Sequence, residues 1–335
     1  MITYENVKSE IQEEFRKDQT INNLENNLGI VNNPINQIKA NKLRLLKEKI
    51  VDKYRHNIIE KIEEKTGRYT IFYFSGYLIN PQIQTIDFSI NENDIMGLQN
   101  IISSINIKEN KFKGLNLILH TPGGDVSSAE KIIKYIWKEF GKDIKVIVPH
   151  TAMSAGTMIA CAAKEIIMFN NSSLGPCDPH WYGYPCYSIL EEFELAKDEI
   201  AKNQITSLAW REILAKYNKT EIIQCKKAIK LSNEITSNNL KNMLGSDDEK
   251  IQKICNELCS NKNSKIHTRS FDYDYCNDLG LIVSNLDIKD EYNLKDDIMR
   301  LYWAIVYFNN YLPISKLIES SSNTSFKLYI NANNF

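Results

Sequence analysis

Two short turns hold the residue types in this chain that could carry out acyl transfer. The first reads His-Thr-Pro-Gly-Gly-Asp over 120–125, and the second reads Ala-Met-Ser-Ala-Gly-Thr over 152–157. Glycines let the backbone expose N–H groups beside a ligand, and a serine hydroxyl becomes a nucleophile when a base activates it. Taken singly, Pro-Gly-Gly is usually only a turn, and a serine that opens a helix is usually an N-cap. Their joint occurrence after neighbouring apolar segments is the more informative signal.

Two common motifs do not account for these turns. Neither turn is followed by the Gly-Lys-Ser or Gly-Lys-Thr of a phosphate-binding P-loop. Neither contains the G-x-S-x-G sequence that places the nucleophile of an α/β-hydrolase. The turns therefore need a scaffold of another kind.

Strand and helix signals alternate around both turns. We predict strands over 70–74, 115–120, 144–148 and 165–169, with helices over 93–105, 126–140 and 154–163. Strands separated by helices of this length form right-handed crossovers in a largely parallel sheet. Both turns then lie at the carboxyl edge of that sheet, where open α/β sheets carry their sites.

The regions on either side are mainly helical. Residues 1–36 are polar and rich in asparagine, so we expect them to be partly disordered or loosely docked, and an amphipathic helix follows and ends near Gly67. A helical period returns over about 187–258, before a last helix near 297–308 and a strand near 326–330. We divide the chain into a polar segment with a helix (1–66), a catalytic core (67–190), a helical region (191–265), and a return segment with a helix that complete the core (266–335).

Composition excludes several classes of function. The formal net charge of −1 gives no whole-chain attraction to nucleic acid or to an anionic membrane. Seven cysteines in 335 residues do not make a disulfide framework, and Cys255 and Cys259 lack the further ligands that a metal site needs. The first residues lack the apolar stretch of a signal peptide, and no apolar run approaches the length of a membrane span. We expect a cytoplasmic protein without a metal or an organic cofactor.

The sequence over 118–126 and 146–179 resembles the serine dehydrogenase proteinase (SDH) family of Clp-fold serine proteinases. That family is related to the Clp protease subunit and to signal peptide peptidase A, and the likeness extends over roughly 55–285. The resemblance implies a Clp/crotonase-type β-α-β spiral core with an N-terminal helix and a helical insertion. It also implies a serine endopeptidase that needs no ATP itself, acts on peptide or protein substrates, and forms homo-oligomers.

The same resemblance assigns the nucleophile and the oxyanion site. Ser154 would attack the peptide carbonyl and form an acyl-enzyme. Backbone N–H groups of the turn at Gly123, Gly124 and Asp125, together with that of Ala155, would stabilise the tetrahedral oxyanion.

The general base is left open between two alternatives. The histidine of the Clp protease subunit falls on Cys177 or Asp178 here, and His180 is two or three residues away. The lysine of signal peptide peptidase A has its best counterpart in Lys197, which would have to be neutral at the working pH. Asp178 either orients the base or caps a turn.

Other basic residues are further candidates or have simpler explanations. Lys202 and Lys227 are less favoured candidates for the base than Lys197. Lys197 itself has a simpler interpretation, as a solvated helix residue. His120 and His150 match no catalytic position of the related families, so we expect structural roles for both. His267 is the better candidate for a supporting role, and His56 is expected on the N-terminal helix; these two histidines complete the set.

Two rival functions need a test. A crotonase-type acyl-CoA enzyme would use the same paired oxyanion donors, but Ser154 in the second turn argues against it. A catalytically inactive Clp-fold binding or scaffold protein would keep the fold without a working base. A regulatory protein partner is compatible with either the peptidase or the scaffold.

Overall fold

The predicted alternation of strands and helices is present in the computed structural model, which describes residues 2–29, 33–79, 86–105, 111–260, 269–309 and 312–330. The strands are β1 Tyr69–Ser75, β2 Leu115–His120, β3 Ile144–Val148, β4 Thr151–Ala152, β5 Glu165–Met168, β6 Ser173–Leu174, β7 His180–Trp181, β8 Tyr184–Pro185, β9 Val283–Asn285, β10 Ile314–Ser320 and β11 Ser325–Tyr329. The helices are α1 Tyr4–Lys17, α2 Gln19–Asn26, α3 Pro34–Thr66, α4 Glu92–Ser104, α5 Val126–Phe140, α6 Ala155–Cys161, α7 Cys186–Lys202, α8 Ser207–Leu214, α9 Glu221–Leu244, α10 Asp248–Cys259, α11 Tyr273–Leu279 and α12 Lys295–Asn309, with a 3₁₀ turn at Gln204–Thr206.

The central sheet has the strand order β11-β10-β1-β2-β3-β5-β9. Strands β1, β2, β3, β5 and β9 run parallel, whereas β10 and β11 add antiparallel strands beside β1. The predicted class, an α/β fold around a largely parallel sheet, is therefore confirmed. Because β2 and β3 are parallel neighbours, the turns that follow them meet at one edge of the sheet.

Helices cover both faces of this sheet. Along β1, Ile71 and Tyr73 belong to the core on one face, while Phe72 and Phe74 belong to the core on the other. Residues of α4, α5, α6, α9 and α10 fill the first core, and residues of α1, α2, α3 and α12 fill the second. Burial on both faces explains why β1 reads as a continuous apolar run rather than as an alternating pattern.

The N-terminal segment departs from the expectation of loose docking. Its described part forms α1 and α2, and the apolar residues Val7, Ile11 and Phe15 are buried against α3 and α12. These residues recur every four positions, so they form one narrow apolar stripe along an otherwise polar helix. The stripe was not predicted from the sequence because most of the surrounding residues are polar.

Strand β10 is a second departure, because no strand was predicted over Ile314–Ser320. All seven of its residues are buried, although they include Lys316 and Glu319. Lys316 pairs with Asp94, and Glu319 pairs with Arg55. These charges are buried only because distant elements supply their partners, which local sequence cannot reveal.

The elements around the two turns match their predicted bounds closely. Strands β2 and β3 and helix α5 have the bounds that were expected. Helix α6 is shorter than predicted, since it begins at Ala155 and ends at Cys161. Within the described ranges, no helix combines the length and the apolar character that crossing a bilayer requires.

Candidate active site

The two turns identified in the sequence are joined by their backbones. The N–H of Thr121 donates to the carbonyl of Thr151 (3.0 Å), and the N–H of Met153 donates to the carbonyl of Thr121 (3.1 Å). A Cβ atom built on Gly123 (φ 95°) would lie 2.5 Å from the Met153 carbonyl oxygen and 2.7 Å from Cβ of Ser154. Glycine is therefore required at 123 both for its backbone conformation and for the close approach of Ser154.

Ser154 has an unusual backbone conformation for a residue with a side chain. Its φ of 52° and ψ of −116° lie outside the common regions, and it directly precedes α6. Its side chain makes no capping hydrogen bond, so the N-cap explanation does not apply. Strained backbone of this kind persists where the surrounding structure enforces it and is concentrated at functional sites.

Two of the four predicted oxyanion donors have N–H groups engaged elsewhere. The N–H of Asp125 donates to the carbonyl of Ile90 (2.8 Å), and the N–H of Gly123 donates to Oγ1 of Thr121 (3.2 Å). For the N–H groups of Gly124 and Ala155, the described part of the chain offers no hydrogen-bond acceptor. These two amides are the ones available to a ligand at Ser154.

Ser154 opens on a cleft of about 530 Å³. The diglycine turn forms one wall, and Asp178 and His180 lie on another. Asp178 is buried, His180 is exposed, and 3.6 Å separates Oδ2 of the carboxylate from Nε2 of the imidazole. The cleft therefore brings together the predicted nucleophile, the turn, the candidate base His180 and Asp178, the residue expected to orient the base or cap a turn.

The predicted lysine base lies elsewhere. The Lys197 side chain is 68% exposed on α7, and its ammonium pairs with Glu194 at 2.6 Å. Lys197 does not line the cleft, and neither do Lys202 and Lys227, which are both exposed. This placement corresponds to the simpler reading, in which Lys197 is a solvated helix residue.

Cys177 is one of the two positions, with Asp178, on which the Clp resemblance places a histidine. Its thiol lies 3.5 Å from the carbonyl oxygen of Ser154, and the residue is buried at the cleft wall. The hydrogen bond with Cys259, the largest single influence, favours the thiolate, but burial and the nearby Cys161, Cys255 and Asp178 together outweigh it and raise the pKa of Cys177. The thiol thus stays protonated. A protonated thiol can donate to the Ser154 carbonyl but cannot act as the general base.

Of the remaining histidines, those that the structure describes do not line this cleft. His120 is fully buried between the rings of Phe74 and Tyr77, at centroid distances of 5.0 and 5.5 Å. Burial, with a smaller contribution from His150, lowers the pKa of His120 to about 3. His56 is buried on α3 near Ser325, and His267 lies outside the described residues; these are the other two histidines that the sequence raised.

Several cleft residues could not have been found from the two turns alone. Ser89 comes from the segment before α4, while Ala228 and Leu231 come from α9. Trp181 belongs to the short strand β7 beside His180. Only the tertiary fold brings these residues to Ser154, and together they give the cleft a partly apolar wall.

The parallel strands β2 and β3 thus present Ser154 against a diglycine turn. The family model for ClpP-like SDH-type serine proteinases matches residues 93–309, which is more than half of the chain. The chain belongs to this family.

Curated relatives extend the likeness without adding a known activity. An uncharacterized protein of Methanocaldococcus jannaschii is 46% identical over 99 residues, covering 30% of this chain and 34% of that protein. A second uncharacterized protein of the same organism is 38% identical over 146 residues, covering 44% of each. The chain thus spans less than half the length of these relatives.

A solved structure of a ClpP1 mutant from Listeria monocytogenes is among the structural neighbours. It is 14% identical, with a TM-score of 0.36, and the match covers 72% of this chain and 99% of that one.

Proposed function

We infer that this protein is a serine peptidase in which Ser154 is the nucleophile. The observation that carries this inference is the strained Ser154 packed against Gly123, in a turn where the N–H groups of Gly124 and Ala155 have no acceptor among the described residues. The serine oxygen attacks the scissile carbonyl, and the two amides stabilise the resulting oxyanion. One such donor is worth about 3 kcal/mol of transition-state stabilisation in other serine proteases.

We assign the general base to His180, oriented by Asp178. Nε2 of His180 lies 3.6 Å from Oδ2 of Asp178, so in this assignment Nδ1 is the nitrogen that accepts the Ser154 proton. His180 then protonates the leaving amine, and the acyl-enzyme forms. A water molecule that loses its proton to His180 attacks the ester and releases Ser154.

The cleft also indicates the kind of substrate. Trp181, Ala228 and Leu231 form its apolar wall, so we expect an extended peptide with an apolar side chain next to the scissile bond. A cytoplasmic location and self-assembly remain part of the same proposal.

The assignment is tested by the hydrolysis of fluorogenic peptides that carry an apolar residue before the scissile bond. Ser154→Ala is expected to abolish turnover, and His180→Gln and Asp178→Asn to lower kcat about 10²–10⁴-fold. Lys197→Met is the matched control and should retain wild-type kcat. A large loss in Lys197→Met with little effect of His180→Gln would reverse the assignment of the base.

A second measurement separates the peptidase from the inactive scaffold. The scaffold is favoured by one observation, that within the described ranges the Ser154 hydroxyl has no hydrogen-bond partner. Catalytic hydrogen bonds often form only when substrate binds, so this geometry is compatible with both functions. Absence of Ser154-dependent turnover over a broad peptide library, in protein shown to be folded by circular dichroism, would favour the scaffold.

A further inference from the structure

A buried ion pair lies close to the diglycine turn. Nζ of Lys316, on β10, is 2.8 Å from Oδ2 of Asp94, in the first turn of α4, and both side chains are fully buried. Lys316 lies beyond the residues 93–309 that match the family model. The pair therefore joins a C-terminal strand to the start of a core helix.

This pair holds both ends of a three-residue segment that precedes α4. The Lys316 ammonium donates to the carbonyl of Ser89 (2.5 Å), and the Asp94 carboxylate accepts from the N–H of Asn91 (2.7 Å). The residue between them, Ile90, is itself buried. The hydrogen bonds of this ion pair to the Ser89 carbonyl and the Asn91 N–H thus fix the backbone at both ends of Ser89–Asn91.

Ile90 in turn holds the turn that carries the oxyanion donor. Its N–H donates to the carbonyl of Gly123 (2.7 Å), and its carbonyl accepts from the N–H of Asp125 (2.8 Å). These two bonds flank Gly124, as in a pair of parallel strands, so the N–H of Gly124 faces away from Ile90. A Cβ atom on Gly124 would lie 2.3 Å from the Ile90 nitrogen, which shows how closely the two backbones approach.

We propose that Lys316 and Asp94 are positioning residues for the oxyanion site, acting through Ser89–Asn91 on the amide of Gly124. This proposal rests on the proposed serine peptidase. A buried ion pair is weak evidence of a contribution to stability, because apolar replacements of similar volume are often neutral or stabilising. A fixed amide, in contrast, requires directed bonds such as those that this pair makes to the Ser89 carbonyl and the Asn91 N–H.

Lys316 is not a general base in this arrangement. Its ammonium is engaged with a carboxylate and a carbonyl oxygen, and the residue does not line the cleft. It touches neither Ser154 nor the space where substrate would bind. Its effect on catalysis must pass through the backbone of Ile90.

The test compares two double substitutions, each of which neutralises a lysine and a carboxylate that pair with each other. Lys316→Met with Asp94→Asn removes the pair beside the segment Ser89–Asn91 without leaving a lone charge. The matched control, Lys327→Met with Glu48→Gln, removes a pair at 2.6 Å on the neighbouring strand β11, together with the second ion pair of Lys327, to Asp52, which keeps its pair with Arg55. Among the described residues, Lys327 and Glu48 make no hydrogen bond to the diglycine turn. Each protein is assayed by peptide hydrolysis and by amide hydrogen exchange.

The first variant is expected to lower kcat about 10–100-fold with KM within about two-fold of wild type, because the oxyanion contact is made in the transition state. The amides of Ile90 and Asp125 should exchange faster in this variant only. Wild-type kcat in the first variant, or an equal loss in both, would overturn the positioning role and leave the proposed function standing. Hydrogen exchange is independent of activity, so unchanged protection of Ile90 and Asp125 overturns the proposal even if the protein has no peptidase activity.

Discussion

At the scale of single residues, the candidate site depends on how closely Gly123 approaches Ser154. The glycine has a positive φ, and any side chain there would meet the Met153 carbonyl and Ser154 itself. A Cβ atom on Gly123 would also lie 3.1 Å from the amide nitrogen of Ala155, one of the two proposed oxyanion donors. A serine peptidase needs this spacing more than it needs any particular side chain in the turn.

Gly123→Ala is therefore expected to lower kcat/KM about 100-fold or more, because the new Cβ must displace the Ser154 backbone from the oxyanion donors. Gly67→Ala is the control, since Gly67 also has a positive φ (64°) but has no atom within 4 Å of the added Cβ. It should cost about 1 kcal/mol of stability and leave kcat/KM unchanged. Equal activity of the two variants, measured by peptide hydrolysis, would contradict the packing argument.

At the scale of elements, the loops after β2 and β3 share an aromatic support. His120 ends β2, His150 follows β3, and both contact the Tyr302 ring of α12, at centroid distances of 5.3 and 6.1 Å. Burial lowers the pKa of both histidines. Both imidazoles are therefore neutral in this packing, and protonating either of them would destabilise it.

The lowered pKa of His120 makes the free energy of unfolding depend on pH in a definite direction. Between pH 6.5 and about 3 the unfolded chain protonates His120 while the folded chain does not, so the free energy of unfolding falls as the pH is lowered. We expect His120→Phe, which keeps a ring between Phe74 and Tyr77, to reduce this slope by up to about 1.4 kcal/mol per pH unit. Urea unfolding at several pH values checks this, with pH 8 isolating the packing effect of the substitution. An unchanged slope between pH 6.5 and 5 would contradict the linkage.

The elements near Ser154 were predictable because each has a local signal, whereas the base and β10 were not. Strands β2 and β3 are short apolar runs bounded by turn residues, and that pattern is sufficient to place the serine and the glycines. Lys197 was favoured as the base by the resemblance to signal peptide peptidase A, whereas the fold leaves its side chain exposed on α7. Lys316 reads as a surface residue until Asp94, more than two hundred positions earlier, is folded against it.

At the scale of the whole molecule, the helical region after the core presents apolar side chains to solvent. Ile205 is 77% exposed in the 3₁₀ turn, and Leu208 is 65% exposed in α8. Neighbouring exposed apolar side chains are candidates for a protein contact surface, and we propose this pair as part of one. Because we expect this protein to self-assemble, we propose that a second copy of the chain covers these side chains.

Light scattering during size-exclusion chromatography should therefore give a mass above the 38.7 kDa of one chain. Ile205→Asp combined with Leu208→Asp is expected to shift the protein toward the monomer, because burying two carboxylates in an apolar contact is costly. Lys216→Asp, a charge change nearby on the same helical region, serves as the control. A wild-type protein that is monomeric at high micromolar concentration would contradict self-assembly.

The most direct test of the account is covalent labelling with a fluorophosphonate, followed by intact-mass and peptide mass spectrometry. We expect one adduct per chain, located on Ser154, and none in Ser154→Ala protein that is shown to be folded. Labelling should also be slowed in Gly123→Ala, because the same oxyanion donors assist attack on phosphorus. An adduct on another residue, or no adduct in the folded wild-type protein, would contradict the assignment of Ser154 as the nucleophile.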